Sequence, residues 1–212
     1  MNNEKMFPLA LGKLNPGYIF ADVKPDMKML DSVFLGVSSS LPRVKFGCSK
    51  SLVFLSEADP EILYERFDNV AELLRSENRI LRWNAITMIG NMAGIDRDHR
   101  IRDLLPSLYA LLSCGELITA NHAITALGKI GCAFPDKQKS VVLKLLAVEH
   151  QRFETSECRN IALGKVILAL QLFVNHANAG RAVFSFVQRQ TKNKRPATAS
   201  KARSFLKKLA PE

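Results

Sequence analysis

The sequence predicts an all-α fold, a right-handed α-α superhelix (solenoid) built from about five stacked helix pairs. An apolar pattern typical of a helix recurs along the chain at intervals of 37 to 40 residues. A second amphipathic segment with its own helix-start signal precedes each copy. No stretch shows the two-residue alternation and hairpin dipeptides that indicate a sheet. Intervals of this length are typical of stacked two-helix repeats.

The recurring pattern is a small residue followed by larger apolar residues four and seven positions later. Its five copies are Cys48, Leu52 and Leu55; Ala85, Ile89 and Met92; Ala123, Leu127 and Ile130; Ala162, Val166 and Ala169; and Ala202, Leu206 and Leu209. These positions share one helix face, so we expect a buried stripe whose small residue lets a neighbouring helix approach closely. A second register stays open for the fourth copy, because Leu163-Gly-Lys-Val166 repeats Leu127-Gly-Lys-Ile130 at a spacing of 36.

Helix-start residues predict the first helix of each pair. Asp59 precedes Pro60, an N-cap followed by proline at the first helical position. The corresponding residues of the other pairs are Asp26, Asp98, Asp136 and Asn178. We expect joints at Gly94, Gly115 and Gly131, and a solvated loop from Gln190 to Ala199.

The chain is therefore divided into an N-terminal arm, residues 1–25, and a repeat domain, residues 26–212. Prolines and glycines interrupt any helix in the arm, but its apolar residues suit it to cover the open face of the first repeat. The approximate repeats are 26–57, 59–95, 97–132, 135–175 and 177–210.

Two of these predicted pairs resemble a known family. Leu104-Leu-Pro-Ser-Leu-Tyr-Ala-Leu-Leu112, followed by Asn121-His-Ala-Ile-Thr-Ala-Leu-Gly-Lys-Ile130, is similar to the two helices of a HEAT repeat. A proline often kinks the first helix of that family, as Pro106 would here. The resemblance implies a HEAT/armadillo-type fold, and it leaves the function open because the family includes adaptors, transport receptors, phosphatase scaffolds and a few enzymes.

The net charge of +10 comes from the end of the chain. Residues 1–157 contain 19 Lys and Arg and 19 Asp and Glu, whereas residues 158–211 contain eleven basic residues and no acidic one. Such an asymmetry points to an anionic partner or surface. We expect a patch for an anionic partner at the late basic residues Lys192, Lys194, Arg195, Lys201, Arg203 and Lys207.

The sequence offers little chemistry for catalysis or cofactor binding. It contains no phosphate-binding loop, dinucleotide fingerprint, zinc-protease motif or nucleophile elbow, so we expect neither cofactor nor metal. The cysteines, which are Cys48, Cys114, Cys132 and Cys158, form no CxxC pair and are interpreted as buried free thiols. With no signal peptide and no membrane-spanning run, a cytoplasmic protein without membrane contact is expected.

An enzymatic alternative comes from alkylpurine DNA glycosylases with a HEAT-like fold. The resemblance to them rests on size, basic charge and Trp83 on a second helix. Those enzymes place an aspartate one helical turn from such a tryptophan, whereas Thr87 and Arg79 stand there in this chain. We therefore predict a protein that is not an enzyme.

A partner is expected along the second helices, which line the concave face of such a superhelix. Positions two and six residues after the small residue lie opposite the buried stripe. The candidate partner-binding residues chosen from them are Lys50, Asn91, Lys129 and Lys208. A protein or peptide is the preferred partner because residues 1–157 are neutral; the alternative is a nucleic acid bound by the basic C-terminal third.

Overall fold

The computed structural model describes Phe20, residues 26–175 and residues 180–209. These residues form eleven α-helices and no strand. The helices are α1 Met27–Val37, α2 Pro42–Ala58, α3 Pro60–Tyr64, α4 Phe67–Leu73, α5 Arg79–Met92, α6 Arg100–Leu111, α7 Leu117–Ala133, α8 Gln138–Ala147, α9 Ser156–Leu170, α10 Arg181–Gln190 and α11 Pro196–Leu209. Short 3-10 turns lie at Ala93–Ile95, Pro135–Lys137 and Val148–His150. The all-α prediction is confirmed.

The helices alternate as the sequence pattern predicts. We call α1, α3 with α4, α6, α8 and α10 the first helices, and α2, α5, α7, α9 and α11 the second helices. Each second helix carries one copy of the recurring pattern. The chain divides into two compact units, Met1–Arg97 (unit 1) and Asp98–Glu212 (unit 2). The proposed arm lies outside the described residues except for Phe20, and the arm and repeat boundaries stay predictions.

The five small residues of the pattern are all fully buried. The exposed fraction is 0% for each of Cys48, Ala85, Ala123, Ala162 and Ala202. The spacing of 39 is thus correct for the fourth copy, because the alternative register would put Arg159 at this position and Arg159 is exposed. In the last copy Phe205 is buried, whereas Leu206 is partly exposed.

The first helix of the second pair is broken where the sequence predicts one continuous helix. It stops at Tyr64 and resumes at Phe67. At the break the Arg66 guanidinium donates to both carboxylate oxygens of Asp31, with Nε–Oδ1 2.6 Å and Nη2–Oδ2 3.2 Å. No glycine or proline marks this point, so a contact with a distant helix accompanies a break that the local sequence does not signal.

Several local predictions are wrong. Asp26 and Asp59 cap their helices as predicted. Asp98 does not cap α6, because His99 lies directly before that helix, and Asp136 lies inside a 3-10 turn. Gly131 lies inside α7 instead of at a joint. The expected loop ends early, because α11 begins at Pro196. Asn178 lies outside the described residues.

The cysteines differ in exposure, contrary to the prediction that all four are buried. Cys48 is buried, Cys158 is half-buried, and Cys114 and Cys132 are exposed. Burial raises the pKa of the Cys48 thiol to about 11, so this thiol stays protonated at neutral pH.

Candidate functional site

The second helices carry most of the net positive charge of the helices. Together they contain twelve Lys and Arg residues against two acidic residues, Glu57 and Glu157. The first helices contain seven basic and five acidic residues. The neutral balance of residues 1–157 therefore hides a division of charge between the two kinds of helix.

Several acidic residues of the first helices and of the adjoining turns form ion pairs. Asp31 pairs with Arg66 and Glu61 with Arg97 in unit 1. The pairs of unit 2 are Arg102 with Asp136, Lys137 with Asp136, and Arg189 with Glu149. The hydrogen bond from Arg66 lowers the pKa of the Asp31 carboxyl group. Part of the charge on the first helices and their turns is thus balanced by neighbouring side chains.

In unit 1 the two predicted binding residues have different surroundings. Lys50 is exposed, and its ammonium lies 5.8 Å from the centre of the Phe54 ring. Asn91 is half-buried and donates a hydrogen bond of 2.7 Å to Ser56 Oγ on the neighbouring second helix. Two helical turns earlier, Asn84 donates a similar hydrogen bond of 2.8 Å to Ser49 Oγ. Asn91 therefore contributes to the packing of α5 on α2.

In unit 2 the predicted residues Lys129 and Lys208 lie on α7 and α11. Lys208 is exposed and Lys129 is partly exposed. The helix between them, α9, packs against both α7 and α11. The exposed face of α9 carries Lys165, which is not among the binding residues predicted from the sequence.

Four basic side chains come together across these three helices, and we call them the basic row: His122 on α7, Lys165 on α9, Lys201 on α11 and Arg195 just before α11. Burial first, and then repulsion by Lys165, lowers the pKa of His122. Burial first, and then repulsion by Lys165 and Arg195, lowers the pKa of Lys201. Lys165 thus lies near both His122 and Lys201, and Arg195 lies near Lys201.

A glycine beside the row makes room for Thr198. A methyl group placed at Gly164 would lie 2.7 Å from Thr198 Oγ1 and 3.6 Å from Lys201 Nζ. The lysine side chain therefore lies beside the α9 backbone at this point. Thr198 is fully buried and donates to the Asn160 carbonyl at 2.8 Å, which fixes α11 on α9.

The proposed anionic-partner patch does not form one uniform surface. Lys192, Lys194 and Lys207 are exposed, and Arg203 donates to the Thr191 carbonyl at 3.2 Å. Arg195 pairs with Glu157 at 2.8 Å, and both it and Lys201 belong to the basic row. The sequence did contain a signal for two members of that row, because Lys165 and Lys201 are 36 residues apart, the spacing at which Leu163-Gly-Lys-Val166 repeats Leu127-Gly-Lys-Ile130.

Apolar side chains accompany the cations on the same helices. Ile118 on α7, Leu168 on α9 and Leu172 just after α9 are all exposed. The aromatic residue of these second helices, Phe205, is 1% exposed and belongs to the core. The exposed surface of the three helices therefore combines aliphatic and basic groups without an aromatic ring.

The surroundings of Trp83 contain no carboxylate at the positions one helical turn away. Trp83 is half-buried, and Thr87 Oγ1 donates to its backbone carbonyl at 3.0 Å. Within the described ranges, no three His, Cys, Asp or Glu side chains lie close enough together to hold a metal ion. None of the helices seen there has the length and apolar composition needed to cross a membrane.

Comparisons with known proteins identify the fold. The sequence matches no protein-family model and no curated protein. Two designed armadillo repeat proteins match the structure with TM-scores of 0.63 and 0.64, at 12% and 11% identity. The matches cover 99% of this chain and 95% and 100% of those chains, and the second of the two was solved in complex with peptide (KR)4. A crystal structure of an engineered protein matches with a TM-score of 0.55 at 15% identity, covering 99% of this chain and 97% of that one. The chain therefore has an armadillo/HEAT-like helical repeat fold.

Proposed function

We propose that this protein is a non-catalytic scaffold that binds a protein or peptide segment along the exposed faces of its second helices. The observation that carries the proposal is the mixture of exposed aliphatic and basic side chains on α7, α9 and α11. Aliphatic side chains such as Leu168 can be buried by a polypeptide, and this burial contributes to affinity. A similar fold in a designed armadillo repeat protein was solved with a bound peptide.

The second candidate function is nucleic-acid binding. It is favoured by the charge of α7, α9 and α11, which together carry seven Lys and Arg residues and one acidic residue. Phosphate contacts alone would give a salt-dependent affinity without sequence preference. A single-strand platform would also need exposed aromatic rings for stacking. Because Phe205 is buried, these helices offer no such ring, and the polypeptide remains the preferred partner.

A selection from a phage-displayed library of random peptides tests the proposal. We expect peptides to be enriched whose binding is weakened at least tenfold by Leu168→Glu, which puts a charge on the exposed face of a second helix. Leu143→Glu is the matched control, since Leu143 is 58% exposed on a first helix of the same pair. Failure to enrich any peptide, or equal loss in both variants, would contradict the proposal. A 260/280 absorbance ratio that shows co-purified nucleic acid would favour the second candidate.

The absence of catalysis is tested separately. Glycosylase chemistry on alkylated DNA needs a group that stabilises positive charge on the sugar, and Thr87 cannot supply it. We expect no release of alkylated bases from duplex DNA. Release above background that disappears in Trp83→Ala would show that the protein is an enzyme.

A further inference from the structure

The basic row of unit 2 has little negative charge of its own to balance it. Across α7, α9 and α11 the acidic residue is Glu157, which is paired with Arg195. No acidic side chain of the described residues forms an ion pair with Lys165 or Lys201. Bringing cations together without counter-charges is unfavourable for the folded chain, so an arrangement of this kind is suited to an anionic ligand.

The position of the row sets the length of a ligand that could follow it. His122, Lys165 and Lys201 lie on three helices that pack side by side, α7 on α9 and α9 on α11. Packed helix axes are roughly 8–10 Å apart, so the row spans about 16–20 Å. An extended polypeptide covers this length with about five or six residues at roughly 3.3 Å each.

The aliphatic neighbours of the row distinguish between anionic ligands. Leu168 follows Lys165 by one helical turn, and Leu172 follows it by two. Both are exposed, at 39% and 52%. A phosphate backbone has no apolar group to bury against them, whereas a peptide with alternating acidic and aliphatic side chains does.

We infer that the second helices of unit 2 bind an acidic peptide segment, whose carboxylates contact Lys165 and Lys201 and whose aliphatic side chains cover Leu168 and Leu172. This inference rests on the proposed scaffold function and names the chemical class of its partner. Gly164 has an indirect part in the site, because its missing side chain leaves room for Thr198, whose hydroxyl holds α11, the helix of Lys201, on α9.

The test uses fluorescein-labelled peptides and fluorescence anisotropy on the full chain. The acidic probe is Glu-Glu-Leu repeated four times, and the reference probe is Lys-Lys-Leu repeated four times. We expect the acidic probe to bind at least tenfold more tightly than the reference. The affinity for the acidic probe should fall at least tenfold in Lys165→Gln/Lys201→Gln and further in Lys165→Glu/Lys201→Glu.

Matched variants locate the site. Lys139→Glu/Lys144→Glu makes the same change of charge on the exposed first helix α8, and we expect it to weaken binding less than threefold. Circular dichroism establishes that all variants keep the helical content of the parent. Equal weakening by the two pairs of substitutions would mean that net charge attracts the peptide to no particular place, and would overturn the inference.

A 20-base-pair duplex supplies the remaining outcome. If the duplex binds more tightly than the acidic peptide, and Lys165→Gln/Lys201→Gln abolishes this binding, the row is a nucleic-acid site and the inference is wrong. If neither probe binds but the library selection yields peptides sensitive to Leu168→Glu, the scaffold function holds and its acidic specificity is refuted. If the selection also yields nothing, both proposals fail.

Discussion

Within each unit the second helices pack side by side, and the contacts that join them differ between the two units. In unit 1, α2 and α5 are joined by hydrogen bonds from Asn84 to Ser49 and from Asn91 to Ser56. In unit 2 glycines bring the helices together, and a methyl group at Gly128 would lie 2.9 Å from Ala169 Cβ and 3.0 Å from its Cα. Side-chain hydrogen bonds thus join α2 and α5 in unit 1, whereas unit 2 combines a close backbone approach at Gly128 with a hydrogen bond from Thr198 to the Asn160 carbonyl.

This difference bears on what each surface can bind. The amides of unit 1 are engaged in packing, so Asn91 has less capacity to contact a ligand. In unit 2 the packing uses glycines and the buried hydroxyl of Thr198. The cations Lys165 and Lys201 are not used for it, and they have no ion-pair partner among the described residues. This difference supports the proposal that a partner binds mainly to the second helices of unit 2.

The largest effect is expected from enlarging the buried small residues. Ala85→Leu and Ala123→Leu each overfill a fully buried site, and we expect the free energy of unfolding to fall by about 1–3 kcal/mol. Chemical denaturation measures both, with Thr125→Leu on the exposed face of α7 as the control. Equal stability of all three variants would show that these sites have spare room.

The next effect isolates the glycine contact. Gly128→Ala forces a methyl group against the α9 backbone, and we expect a net loss of about 1–2 kcal/mol after the gain in helix propensity. Gly94→Ala is the control, since nothing lies within 4 Å of a methyl group there. Its stability should change by less than about 0.5 kcal/mol. A stabilised Gly128→Ala protein would refute the close approach.

High pH should destabilise the anchor of unit 1, where Cys48 stands in place of an alanine. The folded state raises the thiol pKa to about 11, so the unfolded chain loses this proton at lower pH. The stability that depends on the neutral thiol is complete below the unfolded pKa and decreases as pH rises towards 11, by about 1–2 kcal/mol at pH 10.5. Urea denaturation between pH 8 and pH 10.5 measures it. In Cys48→Ala this part of the pH dependence should disappear; an unchanged dependence would assign it to other groups.

The smallest effect concerns the amide bonds of unit 1. Asn91→Ala removes the hydrogen bond to Ser56, and we expect a loss of about 1 kcal/mol. A double-mutant cycle with Ser56→Ala gives the coupling free energy between the two side chains. Coupling near zero would mean that this bond does not stabilise the pair of helices, and that the two units differ less than their contacts indicate.

The sequence by itself determined the helical architecture and the buried anchors. Cys48, Ala85 and Ala123 are buried where the pattern places them, because burial of a helix face follows from a period of about 3.6 residues within one segment. The local pattern did not predict the break near Arg66, where the helix is interrupted beside the ion pair with Asp31, 35 residues earlier in the chain.

Only the tertiary structure decided which side chains share a surface. His122, Lys165 and Lys201 meet because three helices stack in one register, and Asn91 turns towards Ser56 for the same reason. A helical pattern gives the face on which a residue lies, but not the height of that residue against the neighbouring helix. That height depends on side-chain volume between the helices, such as the missing side chains of Gly128 and Gly164.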